Sequence, residues 1–280
     1  MNRIIRVFPR RTNATPTDKM AFIGDPGLFL PEADQVHISV TFSYDRKEAE
    51  RLWQAWNDYY PGIVQIGGPA FGKPSGDFIP GRYLKHGYTI TSRGCPNRCW
   101  FCTVWKREKG LKELPIRQGW NLLDDNILAC SDQHIKAVFE MLGIQTNKEV
   151  LLTGGLEAKR LKKWHVEVLK KVVKPKRVFF AYDTKDDYEP LRMAAALLAE
   201  QELLTFDRCH VYCLIGFPGD RPDEAEKRLN QILELNMCPM AMLWRDERGT
   251  TTAEWRRFQK KWARPAIIRG VYKKLKYKEE

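Results

Sequence analysis

From residue 88 to residue 244 of the 280-residue chain, short apolar segments alternate with amphipathic helical segments. The apolar segments are rich in β-branched and aromatic residues and are apolar almost throughout, which predicts strands buried on both faces. Because each return passes through a helix, consecutive strands are expected to pair in parallel. The predicted strands occupy residues 88–92, 149–155, 177–183, 209–217 and 238–244.

This alternation predicts an α/β fold with helices packed outside a parallel sheet. Residues 266–272 read as a sixth strand, so the series has five or six βα units. Six units are fewer than the eight of a complete (β/α)8 barrel. A partial barrel and an open wound sheet both fit the pattern. In either case, the groups that follow the strands are expected to share one rim.

The first 80 residues predict a separate, smaller α/β unit. Strand-like segments at 3–9, 36–42 and 62–70 surround a helical segment that Asp45 is placed to cap. The third strand ends in a Gly-Gly turn, and a Gly- and Pro-rich stretch follows it. The predicted domains are therefore 1–80, a small α/β unit, and 81–280, the βα series with a basic C-terminal extension.

The charge of the chain is strongly positive, with 47 Lys and Arg against 35 Asp and Glu, or +12. A basic surface suits a polyanion such as a nucleic acid, although a solvated basic face stays open because no recognition motif accompanies the charge. The chain has no apolar run of about 18 residues, so no membrane span is expected. Its basic N-terminus lacks the apolar region of a secretory signal, which predicts a cytoplasmic location.

Three of the seven cysteines lie together in the loop after the first predicted strand, as Cys95-x3-Cys99-x2-Cys102. Thiolates select zinc, Cu(I) or iron–sulfur clusters. Structural zinc usually takes four ligands in two separated pairs, whereas this loop has no partner pair. Iron–sulfur clusters normally take four cysteines, and three would leave one iron open to a substrate or cofactor. The spacing favours iron–sulfur, with zinc and a chance grouping left open.

These cysteines, with the aromatic Phe101 before the last of them, resemble the signature of the radical S-adenosylmethionine (SAM) superfamily. The resemblance implies a partial (β/α)6-type barrel and a [4Fe–4S] cluster bound by Cys95, Cys99 and Cys102. It implies that the open iron binds SAM, that Phe101 packs on the adenine, and that reductive cleavage yields a 5′-deoxyadenosyl radical. That radical would abstract hydrogen from a substrate, with a donor such as flavodoxin or ferredoxin supplying the electron.

One further element extends the resemblance, and one more candidate residue lies at a predicted strand end. Gly154, Gly155 and Glu157 resemble the family's Gly-Gly-Glu element, here with Leu156 between the glycines and the acid. Glycines there would let the backbone approach the methionine part of SAM. Asp183, at the end of the third strand, would contact the ribose or the substrate, and a simple strand-end turn is the alternative.

The segment 214–220 resembles the strand-four turn of members that carry an N-terminal cobalamin-type domain. Its last residue, Asp220, is placed to cap the helix that follows. Residues 1–80 resemble that domain but lack a D-x-H-x-x-G element, which predicts a degenerate unit without cobalamin. The other cysteines, Cys130, Cys209, Cys213 and Cys238, would bind a second cluster or pack in the core. The substrate is not identified. A non-catalytic iron–sulfur protein that binds or senses nucleic acid is the alternative function.

Overall fold

A computed structural model describes residues 3–72, 76–246 and 248–276 of the chain. The chain divides into two compact units. The first comprises Met1–Gly119 with Glu247–Gly249, and the second comprises Trp120–Asp246 with Thr250–Glu280. By its contacts, the cysteine loop therefore belongs to the first unit, whereas the predicted boundary at residue 80 had grouped it with the βα series.

The first unit contains a parallel four-stranded sheet of order β2-β1-β3-β4. Its strands are β1 (Ile4–Phe8), β2 (Ala21–Ile23), β3 (Gln35–Ser39) and β4 (Val64–Gly67), and helix α1 (Arg46–Asn57) connects the last two. The predicted strands and helix are thus confirmed, within a few residues at their ends. Strand β2 was missed because its three half-buried residues carry no alternating pattern.

Helix α1 buries one face against this sheet through Ala49, Leu52 and Trp56, none of which is accessible to solvent. The indole Nε1 of Trp56 donates to the Gly24 carbonyl at 3.0 Å, so its polar atom is satisfied inside the core. Phe22 of β2 meets the Trp56 ring edge-on at 5.3 Å. The large buried indole therefore ties the short strand β2 to the helix.

Asp45 lies at the N-terminal boundary of α1 but does not cap it. Its buried carboxylate accepts a hydrogen bond from Arg10 Nε at 2.8 Å and forms an ion pair with the same guanidinium. A buried carboxylate needs a cation more than it needs a backbone N–H, because an uncompensated buried charge is costly. The predicted capping role of Asp45 is therefore wrong.

The rest of the first unit carries short elements on either side of the cysteine loop. They are β5 (Tyr88–Thr89), β6 (Ser92–Arg93), α2 (Val104–Arg107) and β7 (Lys112–Glu113). The predicted strand at 88–92 is thus split in two. Strands β6 and β7 pair antiparallel, so the segment between them, which contains the three cysteines, closes back on itself.

In the second unit, five strands pair in parallel in the order β12-β11-β10-β9-β8. Their bounds are β8 (Asn121–Leu122), β9 (Leu151–Leu152), β10 (Arg177–Ala181), β11 (Cys209–Ile215) and β12 (Cys238–Leu243). The helices are α3 (Asp132–Gly143), α4 (Lys163–Val168), α5 (Tyr188–Glu200), α6 (Pro222–Glu234), α7 (Ala253–Trp262) and α8 (Pro265–Lys276). A π-helical turn, Leu169–Val173, continues α4. The α/β class and the parallel alternation are confirmed.

The predicted sixth strand at 266–272 is wrong, because this segment belongs to helix α8. Pro265 suits the first turn of a helix, where its missing N–H costs nothing. Ile268 is buried, and Tyr272, one helical turn later, stacks on Phe206 at 4.4 Å. The apolar residues therefore follow the helical period, which the short β-branched run concealed. No helix in the described ranges is long and apolar enough to cross a bilayer.

The Gly-Gly turn at the end of β4 gives a matched test of backbone packing. Gly68 has a φ of 107°, and a Cβ there would lie 2.5 Å from the Val40 carbonyl oxygen. We predict that Gly68→Ala lowers the free energy of unfolding by about 2 kcal/mol or more, measured by urea denaturation. Gly67→Ala is the control, because a Cβ there meets nothing within 4 Å. Equal losses in both variants would contradict the assignment.

Candidate functional site

The loop that carries the three cysteines is folded by backbone contacts around Cys99. The Cys102 N–H donates to the Cys99 carbonyl at 3.1 Å, and Trp105 Nε1 donates to the same oxygen at 2.9 Å. Cys99 is exposed, whereas Cys95 and Cys102 are half-buried. The short loop therefore holds three cysteines that are all at least partly exposed.

Gly94 fixes the start of this loop. Its φ is 87°, and a Cβ there would lie 1.9 Å from the Gly110 carbonyl oxygen. The backbone after β6 and the backbone after α2 approach each other too closely for any side chain at Gly94. Glycine is therefore required beside the first cysteine for a packing reason that the sequence pattern did not reveal.

Phe101 and Trp100 form an edge-to-face pair within the loop, with ring centroids 5.4 Å apart. Trp100 is 52 % exposed, whereas Phe101 is half-buried. The pairing gives both rings a role in loop structure. Packing of Phe101 on an adenine stays a prediction.

Gly154 and Gly155 follow β9 in the second unit, as predicted. The Gly154 N–H donates to the Leu122 carbonyl at 3.0 Å, and a Cβ on Gly154 would lie 2.3 Å from the Asp124 carbonyl oxygen. Gly155 has a φ of 92°. Backbone packing thus accounts for Gly154 and the positive φ accounts for Gly155, while their contact with the methionine part of SAM stays a prediction.

Glu157 is held by three polar neighbours. Its carboxylate accepts from Asn126 Nδ2 at 2.7 Å and Arg160 Nε at 2.6 Å, and it lies 3.1 Å from Lys159 Nζ. Leu156, which interrupts the family pattern, points its side chain into the core, where it is 2 % exposed. The inserted leucine therefore anchors the turn, while the acid is neutralised by cations of the same unit.

Asp183 lies directly beyond β10, and its Oδ1 accepts the Leu214 N–H of β11 at 2.8 Å. The carboxylate thereby extends the hydrogen-bonding ladder between the two strands. Burial raises the pKa of Asp183 to about 6, in spite of this bond. The raised pKa means that the carboxyl group titrates close to neutrality at the carboxyl edge of the sheet.

A buried ion pair that sequence reasoning missed holds the turn after β11. The Asp220 and Arg228 side chains are only 1 % and 8 % exposed, and their charged groups lie 3.1 Å apart. Asp220 also accepts the Gly216 N–H at 2.8 Å, and Arg228 donates to the Leu214 carbonyl at 3.1 Å. The expected capping role of Asp220 is therefore wrong, since Arg221 occupies the capping position of α6.

A signal for this ion pair was present in the sequence. Arg228 lies within the apolar stripe of α6, which consists of Ala225, Leu229, Ile232 and Leu233. A cation in such a stripe is buried with the stripe, and a buried cation requires an acidic partner. Asp220 precedes the same helix, but Asp223 and Glu224 are nearer to Arg228 in sequence, so the sequence did not show which acid forms the pair.

Three of the cysteines outside the loop are poor ligands. Cys209 and Cys213 are fully buried, and burial raises the pKa of their thiols to about 11 and about 12. Burial likewise raises the pKa of Cys238 to about 11. Thiols of this kind stay protonated at neutral pH and do not bind metals well. Cys130 is also buried, so core packing is favoured over a second cluster.

Within the described ranges, no group of three or more His, Cys, Asp or Glu side chains is arranged to hold a metal ion. The three thiolates of a cubane cluster bind three different irons, so they need not converge on one point.

Models of known protein families give no match to the chain. A search of curated proteins gives none either.

The raised pKa of Asp183 makes stability depend on pH. The folded state holds the proton more tightly than the unfolded chain, so stability falls as the pH rises from about 4 to about 6 and is level above that. We predict that wild type loses about 1 to 3 kcal/mol over this range relative to Asp183→Asn, measured by urea denaturation at several pH values. Parallel pH profiles for the two proteins would contradict the raised pKa.

The Asp220–Arg228 pair predicts strong coupling between the two residues. Arg228→Met leaves the Asp220 carboxylate buried without a cation, so we expect a loss of about 3 to 5 kcal/mol in the free energy of unfolding. Adding Asp220→Asn should restore part of that loss, because the uncompensated charge is removed. A double-mutant cycle measures the coupling, and additive costs would show that the pair is not formed.

Proposed function

We propose that the chain is a radical SAM enzyme that acts on a substrate still to be identified. The observation that carries the proposal is the loop with Cys95, Cys99 and Cys102, which groups three cysteines that are all at least partly exposed. The parallel βα alternation of the second unit supports a partial (β/α)6-type barrel as the finer fold. A consecutive strand order with helical crossovers is what such a barrel requires.

The donor set fits a [4Fe–4S] cluster. Thiolates are the ligands such clusters take, and three of them would leave one iron for the amino and carboxylate groups of SAM. When bound, the reduced cluster supplies the electron that cleaves SAM to methionine and a 5′-deoxyadenosyl radical. The three loop cysteines and Cys238 are at least partly exposed, whereas Cys130, Cys209 and Cys213 are buried. Burial raises the pKa of Cys238 to about 11, so the loop cysteines are the candidate ligands.

The part played by the protein is to hold the loop and to line the cofactor. Gly94 keeps the loop against the Gly110 backbone, which restricts the position of Cys95. Phe101 offers an aromatic face for the adenine, and Gly154 and Gly155 offer exposed backbone for the methionine part. Polar and charged side chains already contact the Glu157 carboxylate. We therefore assign Glu157 the lesser role of orienting the Gly154–Gly155 turn.

Asp183 is the candidate acceptor for the ribose hydroxyls. One of its oxygens is fixed by the Leu214 N–H, which orients the carboxyl group while the second oxygen remains to accept another donor. Electrons would come from a small reductant protein such as flavodoxin or ferredoxin. A reducing compartment, as in the cytoplasm, suits both the cluster and the seven cysteines.

The proposal predicts that Cys99→Ala abolishes both cluster binding and SAM cleavage. The protein is reconstituted anaerobically with iron and sulfide, reduced with dithionite and mixed with SAM. Bound iron and labile sulfide are then assayed, and 5′-deoxyadenosine is measured by chromatography. Cys238→Ala is the matched control, because its half-buried thiol with a raised pKa should retain both properties.

The outcomes separate the alternatives. An intact cluster without any 5′-deoxyadenosine would contradict the enzyme and favour a non-catalytic iron–sulfur protein. Zinc without iron or sulfide would identify a structural zinc module. A cluster that still forms in Cys99→Ala would show that the loop does not bind it as proposed.

A further inference from the structure

The last two helices of the second unit are strongly basic. Residues 250–276 contain nine Lys and Arg but only one acid, Glu254. Residues 159–177, which include α4, have the same excess of eight, with nine Lys and Arg and one acid, Glu167. Helices α7 and α8 therefore form one of two strongly basic segments of the second unit.

Most of these cations are exposed and lack an acidic partner. Two of them form ion pairs, Lys261 with Glu226 at 2.6 Å and Arg269 with Asp207 at 2.5 Å. Six exposed cations have no carboxylate partner among the described residues. We call them the α7–α8 cationic face: Arg256, Arg257, Lys260, Arg264, Lys273 and Lys274.

Other cations of the same unit are balanced locally only in part. Around α4 and α5, four of them lie within 2.5 to 3.4 Å of a carboxylate. They are Lys162 with Asp132, Lys170 with Glu202, Lys176 with Glu149, and Arg192 with Glu189. Lys163, Lys171 and Lys174 are exposed and have no carboxylate partner among the described residues. The four paired cations therefore offer control positions for the unpaired cations of α7 and α8.

The positions of these cations on α7 do not stabilise the helix. Arg256 and Lys260 are one helical turn apart, as are Arg257 and Lys261, and like charges at this spacing destabilise a helix. The helix dipole favours cations only in the last turn, whereas Arg256 and Arg257 lie in the first half of α7. A bound anion would relieve this repulsion.

The opposite side of the two helices is anchored in the protein. Trp255, Trp262 and Ile268 are buried, and Gln259 Nε2 donates to the Ala241 carbonyl of β12 at 3.2 Å. The Thr252 hydroxyl accepts the Trp255 N–H and caps α7. The cations are thus presented by fixed helices and need little ordering when they bind a ligand.

We propose that the α7–α8 cationic face binds the phosphate backbone of a nucleic acid. Helix α7 is about 15 Å long, and duplex DNA carries one charge per about 1.7 Å of axis, so several phosphates face the helix at once. Arg256, Arg257 and Arg264 supply planar guanidinium groups that bind phosphate through two hydrogen bonds. A membrane suits the face less well, because the tryptophans of α7 are buried and cannot insert into lipid.

This inference goes beyond the proposed function and does not depend on the cluster. Binding is measured by fluorescence anisotropy with labelled oligonucleotides of about 20 nucleotides, as single-stranded RNA and as duplex DNA. The face variant combines Arg256→Gln, Arg257→Gln, Lys260→Gln and Lys273→Gln. The matched control combines Lys162→Gln, Lys170→Gln, Lys176→Gln and Arg192→Gln, which removes the same charge from ion-paired positions.

For wild type, we expect the affinity to fall steeply between about 50 and 200 mM salt. The face variant should bind at least about tenfold more weakly, and the slope of log affinity against log salt should decrease by about three. The control should change less than about threefold. Glutamine retains helix propensity, so the melting temperature should be unchanged or higher. If the face variant melts earlier, Lys260→Gln/Lys273→Gln is compared with Lys170→Gln/Lys176→Gln.

Three results would overturn the proposal. They are binding that does not vary with salt, equal losses in the face variant and its control, and tighter binding to phosphatidylserine vesicles than to either oligonucleotide. The assay is run on cluster-free and cluster-loaded protein, with 5′-deoxyadenosine measured separately. Loss of nucleic acid binding and loss of SAM cleavage are therefore distinguishable.

Discussion

Parallel pairing of buried strands is the constraint on which the second unit depends. Each strand must return through a helix, so the carboxyl ends of β9, β10 and β11 lie along one edge of the sheet. The Gly154–Gly155 turn follows β9, Asp183 follows β10, and the Gly216–Asp220 turn follows β11. Tight backbone packing at Gly154 and the buried Asp220–Arg228 pair then restrict the turns that leave this edge.

Burial and charge distinguish the candidate site residues from the residues of the core. The core thiols of Cys209 and Cys213 are held in the protonated form by desolvation, whereas the loop places its cysteines within reach of solutes. Desolvation also raises the pKa of Asp183, while ion pairing neutralises Glu157. Residues of the same type therefore have different chemistry in this chain because their surroundings differ.

Sequence periodicity predicted the fold class and most of the elements, and it was least reliable for short segments. Strands β2 and β8 were missed because two or three residues carry no period. The 266–272 segment was read as a strand because its β-branched run hid a helical spacing. Asp45 and Asp220 were assigned to helix caps, since a sequence shows the nearest helix but does not show the distant cation that each carboxylate pairs with.

The sequence by itself determined the parallel α/β architecture and the grouping of three cysteines on one loop, because both follow from local spacing along the chain. Only the tertiary structure decided which glycines are required by backbone contact, which carboxylates are ion-paired and which thiols are buried. It also decided that six basic residues of α7 and α8 lack a carboxylate partner among the described residues. Those properties depend on neighbours distant in sequence, whose fields and contacts exist only once the chain has folded.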